Sequence, residues 1–206
     1  MLKIMLSQAE IDAANAYGEA LRLAVHNTEL PANERVRAAA GCFAISQDIH
    51  HAIVKLIESH LFAGAFALVR VVFEAYVRGE WLWLCATNNQ VQAFLQGEEP
   101  PQIRSMLEAL EQHPVFQEQV LSKIKVRNWT AMCAYTHVGG LHVQRWVTAD
   151  GIESNYSAEE ISETLRFAEI IVALAVMGTL GIADTEVAAN SAEKVLGHYK
   201  ERLGVA

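Results

Sequence analysis

At 206 residues, 52% hydrophobic and 19% charged, with only 4 Pro and 12 Gly, the chain suits a single domain over residues 1–206 with one continuous core. A formal net charge of -8 and a pI near 5.5 argue against a protein that wraps a nucleic-acid backbone non-specifically or lies on an anionic membrane, although a local basic patch stays open. Cys42, Cys85 and Cys133 are far apart, odd in number and set among apolar neighbours, with no zinc spacing between them; they read as reduced, packed thiols of a cytoplasmic protein.

In chain order, Met1 to Leu6 has one lysine and a short apolar stretch but no leader core or small-residue cleavage pattern, so secretion is not expected. Ser7 and Glu10 form a capping-box pattern ahead of Ile11, Ala14, Gly18, Leu21 and Val25, which predicts a helix ending near Asn27 before Leu30-Pro31. A second helix should start at Asn33 or Glu34, its seam running through Ala40, Phe43, Gln47, His50, Val54, Ile57 and Leu61. A third covers Leu61 to Ala86, and a short one around Val91 to Leu95 precedes Gly97 and Pro100-Pro101. Helices are then expected from Pro101 to about Gln112 and onward from Pro114, with one or two turns over Trp129 to Tyr135 before Gly139-Gly140 ends regular structure. Residues 138–156 read as irregular, with a small hairpin marked by Val143, Arg145 and Val147 before Asp150-Gly151. Ser157 and Glu160 cap the next helix, and Asp184 should open a last one that Gly204 closes. The sum is an all-α bundle of about seven or eight helices. Phe167 to Ala183 is apolar but short for a membrane span and contains Glu169, so it reads as a buried central helix. Leu61 to Ala86 could span by length, but its four ionisable groups make lipid costly and no membrane partner is expected.

Those groups hold the main clue to function. Arg70, Glu74 and Arg78 are spaced by four and so share one helical face, together with Phe66, Val77, Trp81 and Cys85. Charges on such a stripe face protein or a cleft, where they must be paired. They either bind an anionic group or form a satisfied network that fixes helix register.

The run Leu68-Val69-Arg70-Val71-Val72-Phe73-Glu74-Ala75-Tyr76-Val77-Arg78, followed by Tyr135-Thr136-His137-Val138-Gly139, resembles a group of uncharacterised bacterial all-helical proteins over roughly residues 55–180. In that group an Arg-x-x-x-Glu helix precedes a Thr-His element, so the resemblance implies that Arg70, Glu74 and His137 form its polar signature. More distantly the architecture resembles the HEPN helical domains of bacterial defence and toxin systems, whose ribonucleases use Arg-x(4 to 6)-His. No arginine here has a histidine five to seven residues later, Arg22 and His26 being one residue too close. A non-catalytic relative, or a site assembled from separate helices, is what that resemblance leaves.

If the chain reverses near Ser59 to Gly64, an antiparallel hairpin sets His50 opposite Glu74 and Gln47 near Arg78. Without that hinge, Asn33 to Ala86 would form longer helices and hold His50 far from Glu74. His50 or His137 could then titrate beside the arginines. His50-His51, His60, Asp48 and Glu58 lack the Glu-x-x-His pairing of helical metal sites, and no metal or cofactor is expected. Cys133 lies four residues before His137 but reads as a packed thiol. Lys123, Lys125 and Arg127, close to Trp129, read as a solvated face rather than a nucleic-acid surface. The four tryptophans and the apolar helices suit a homodimer. Three functions remain: an interaction module organised on Arg70, Glu74, Arg78 and His137; an RNA-cleaving enzyme using His137 or His50 with Arg70 or Arg145; and a sensor whose arginines hold a small carboxylate or phosphate.

Overall fold

The helical period is realised throughout a computed structural model that describes residues 6–204, so the leader reading at Met1 to Met5 lies outside the described residues. Nine α-helices are formed among them: α1 (Gln8–Val25), α2 (Glu34–Glu58), α3 (Phe62–Leu84), α4 (Asn88–Leu95), α5 (Ile103–Leu110), α6 (Val120–Thr136), α7 (Gly140–Gln144), α8 (Ala158–Ala183) and α9 (Glu186–Leu203). The expected hairpin reduces to one antiparallel bridge, Val147 to Ile152, and the described residues contain no strand.

Local hydrogen bonding explains most helix starts. The side chains of Ser7, Asn33 and Ser157 each accept an amide proton from the first turn, and Glu160 completes a full capping box at α8. Four boundaries differ from expectation, the first being Gly140, which opens the short helix α7 inside the stretch read as irregular. Pro114 opens only a 3-10 turn, Pro114–Phe116, after which Gln119 takes a left-handed conformation (φ 55) and α6 begins. Trp129 to Tyr135 is therefore the end of a 17-residue helix rather than an isolated turn or two. Asp184 is left-handed (φ 45) and ends α8, while Thr185 caps α9 by accepting from the Ala188 amide.

The hinge between α2 and α3 lies at Ser59 to Leu61, with His60 left-handed (φ 60). The antiparallel pairing follows: the Ser46 hydroxyl donates to the Val72 carbonyl at 3.4 Å, and the Phe43 and Tyr76 rings are 6.3 Å apart. Helix α8 packs across this pair as the central element. It is the one helix among the described residues long and apolar enough to cross a membrane, and 61% of its most apolar window is buried inside the fold. Phe43, fully buried, wedges between Gly79 of α3 and Gly178 of α8; a β-carbon at either glycine would lie 2.5 or 2.7 Å from its ring. A second, smaller core unites Tyr17 and Leu21 of α1 with Val172, Val176 and Leu180 of α8 and Val195 of α9.

Two buried ionisable groups shape the pH dependence. Burial pushes the Glu80 carboxyl up to about 7, a hydrogen bond from Tyr76 opposing it in part. The His50 imidazole, 2% exposed, is pushed down to about 4 by burial, then by the charges of His51 and Arg202. Glu80 binds its proton more tightly folded than unfolded, so its contribution is lost as pH rises from about 4.5 through 7. His50 binds its proton less tightly folded, so stability is lost as pH falls from 6.5 toward 4. Glu80→Gln should thus gain on the order of 2 kcal/mol over the native chain between pH 4.5 and 8. Urea unfolding across that range checks it, and a pH-independent difference between the two proteins would refute it.

Candidate polar cleft

The four-residue spacing on α3 brings its charges together as a row with the carboxylate in the middle. Glu74 gives one oxygen to each neighbour: Arg70 Nε donates to Oε1 at 2.6 Å and Arg78 Nη2 donates to Oε2 at 2.7 Å. The Glu74 side chain is 11% exposed and those of Arg70 and Arg78 are 22% and 28% exposed, so the row is shielded on one side and open on the other.

Helix α6 supplies the next layer. Its C-terminal end is pinned to α3 by the Thr136 hydroxyl, 3.1 Å from the Ala67 carbonyl and 2.9 Å from that of Met132. His137 then caps the helix and sets its Nε2 2.6 Å from Arg70 Nη1. A guanidinium only donates, so in this contact Nε2 is the acceptor. The chain turns away through Val138 (φ 54) and Gly139, where a β-carbon would lie 3.1 Å from the Ala134 backbone. The Thr-His-Val-Gly element thus has a mechanical reading: Thr136 docks the helix end, His137 reaches the arginine and Gly139 permits the exit.

Two turns earlier on α6, Trp129 places its ring 4.8 Å from the Arg70 guanidinium carbon and 5.1 Å from Lys125 Nζ. With Pro101, Ile103 and Arg104 at the start of α5, these residues enclose a cleft of about 510 Å³ whose floor is the α3 row. Four cations and the carboxylates Glu74 and Glu99 line it. Arg70 Nη2, and Nε and Nη1 of Arg78, have no acceptor among the described residues, and Glu99 makes no ion pair there.

Of the six residues singled out in the sequence, Arg70, Glu74 and Arg78 line the cleft, His137 joins them through Arg70 without lining it, and two lie elsewhere. His50 is more than a turn from the level of Glu74, because Ser46 pairs with Val72, and its ring faces α1, where a β-carbon on Gly18 would come within 3.1 Å. Gln47 likewise lines the groove between α1 and α2 rather than lying by Arg78. Arg145 ion-pairs with Glu160, which also caps α8, beside a packed group of Phe66, Tyr135, His142 and Tyr156. His51 and His60 are exposed, and no group of three or more metal-ligating side chains occurs among the described residues. Arg104 and Glu99 are cleft residues that no sequence pattern marked, since Pro100-Pro101 reads only as a chain break.

A bundle built on the α2–α3 pair, with a charged cleft shared by α3, α5 and α6, is the class of protein these features define. The chain belongs to DUF6988, a family of unknown function, whose model matches residues 43–204. Neither curated proteins nor solved structures gave a match.

Proposed function

We propose that the protein is a binding module whose cleft takes a small anion on the free N–H groups of Arg70 and Arg78. The observation that carries this reading is the use of Glu74. By dividing its oxygens between two guanidiniums it fixes both forks, yet leaves each with donors aimed at an open cleft. Because the row is open on one side, those remaining donors meet solvent rather than protein acceptors and are available to a ligand. Phosphate, sulfate and carboxylates should each raise the melting temperature of the native chain, and Arg78→Gln should weaken the response about tenfold, the worth of one charged hydrogen bond. An anion response unchanged by Arg78→Gln would place binding elsewhere.

A second reading draws on His137. Its Nε2 lies against Arg70; once a substrate phosphate draws the guanidinium away, the freed lone pair takes the proton of a 2′-hydroxyl, Arg70 steadies the phosphate, and the departing 5′-oxygen takes its proton from water. It fits a HEPN-like site assembled from two helices. His137→Ala should then abolish cleavage of single-stranded RNA while leaving anion binding in place, and native protein inert toward RNA would exclude it. Self-association is supported by exposed Val138, Trp146, Val147 and Ile152, and a cytoplasmic setting by three free thiols.

A further inference from the structure

We infer that the ligand of this cleft is a nucleoside monophosphate, a conclusion that rests on the anion-binding reading above and narrows it. The cleft is polarised along its length. Its floor offers two half-used arginine forks with Lys125 close by, which suits a dianion with three terminal oxygens better than a single carboxylate. Inorganic phosphate would leave most of the 510 Å³ unfilled, since spaces of this size take drug-sized organic molecules. The remaining wall mixes apolar Trp129, Pro101 and Ile103 with polar Gln102, Glu99 and Arg104.

Arg70 links the two halves. Its guanidinium carbon lies 4.8 Å and Lys125 Nζ 5.1 Å from the Trp129 ring centroid, so a group esterified to a phosphate on Arg70 reaches the indole edge and stacks on its face by displacing Lys125. Glu99 completes the argument. An unpaired carboxylate at the rim repels a ligand that is anionic at both ends and accepts from one that carries N–H groups away from its phosphate. A nucleobase with an exocyclic amine has that character, and Gln102 beside Glu99 can serve a ring nitrogen or carbonyl.

Calorimetric titration of the full chain tests this with five probes: inorganic phosphate, ribose 5-phosphate, adenosine, adenosine 5′-monophosphate and a short oligoribonucleotide without terminal phosphate. The monophosphate should bind about tenfold more tightly than ribose 5-phosphate, one stacked base being worth that much, and adenosine alone should be weaker than either phosphate ester. Trp129→Leu should remove the tenfold advantage of the monophosphate over ribose 5-phosphate, and Trp129→Phe should restore it. Equal affinity for all three phosphates would overturn the nucleotide assignment while the anion site stands. Tighter binding of the oligoribonucleotide would overturn it in favour of an RNA ligand. No binding of any phosphate would remove both readings. The comparison of probes on native protein needs no variant to fold.

Discussion

Replacing Glu74 with alanine should cost about 3 kcal/mol of folding stability, the lower end of what an orphaned, largely buried ion network loses. Arg70 keeps His137 and Trp129 as neighbours, but Arg78 is left with no acceptor among the described residues. The vacated position is ringed by guanidinium donors, so formate should recover part of the loss by occupying it, and chloride at equal ionic strength should recover less. Urea unfolding with each salt measures both effects. A cost below about 0.5 kcal/mol would mean the row behaves as an ordinary exposed pair of the kind that surface ion pairs represent.

The other large effect is expected at Phe43. Its ring is fully buried between two helices, and Phe43→Ala should lose about 4 kcal/mol through lost burial and the cavity left behind. Gly178→Ala should cost about 2 kcal/mol in the native background, because the new methyl meets both the Phe43 ring at 2.7 Å and the Glu80 carboxylate at 2.9 Å. In the Phe43→Ala background the same methyl enters the vacated space and adds helix propensity, so its effect should fall to zero or become stabilising. A double-mutant cycle by chemical denaturation reads the coupling; additive costs would show that the ring does not set the α3–α8 spacing.

What could be read from the sequence follows the range of the interactions involved. The row Arg70, Glu74 and Arg78 is a relation between residues four apart on one helix, so spacing alone put the three on one face. The caps at Ser7, Asn33 and Ser157 are equally local. The start of α6 was not legible because Gln119 adopts positive φ without being glycine, and because Lys123, Lys125 and Arg127 leave that helix without a clean apolar stripe. Asp184 and Thr185 are both good caps by type, and only backbone geometry decides that the first closes α8 and the second opens α9. The meeting of His137 with Arg70 spans 67 positions and depends on α6 docking along α3. The Thr-His resemblance pointed to it, whereas periodicity could not. His50 illustrates the converse: a polar residue in an apolar seam has two helices it can face, and the packing of α1 at Gly18 decided between them.

The separation of the small α1–α8–α9 core from the main one bears on cooperativity. Helix α9 buries only Ala188 and Val195, and the hydrogen bond tying its side chains to the rest of the fold is Arg202 to the buried Glu169 at 3.0 Å. The cleft, by contrast, is assembled from α3, α5, α6 and the loop between α4 and α5. Opening of α9 can therefore run as a local equilibrium that leaves the cleft formed, and a ligand bound there adds nothing to the free energy of that opening. Since no residue of α9 lines the cleft, ligand binding there is expected to leave hydrogen exchange in the C-terminal helix unchanged.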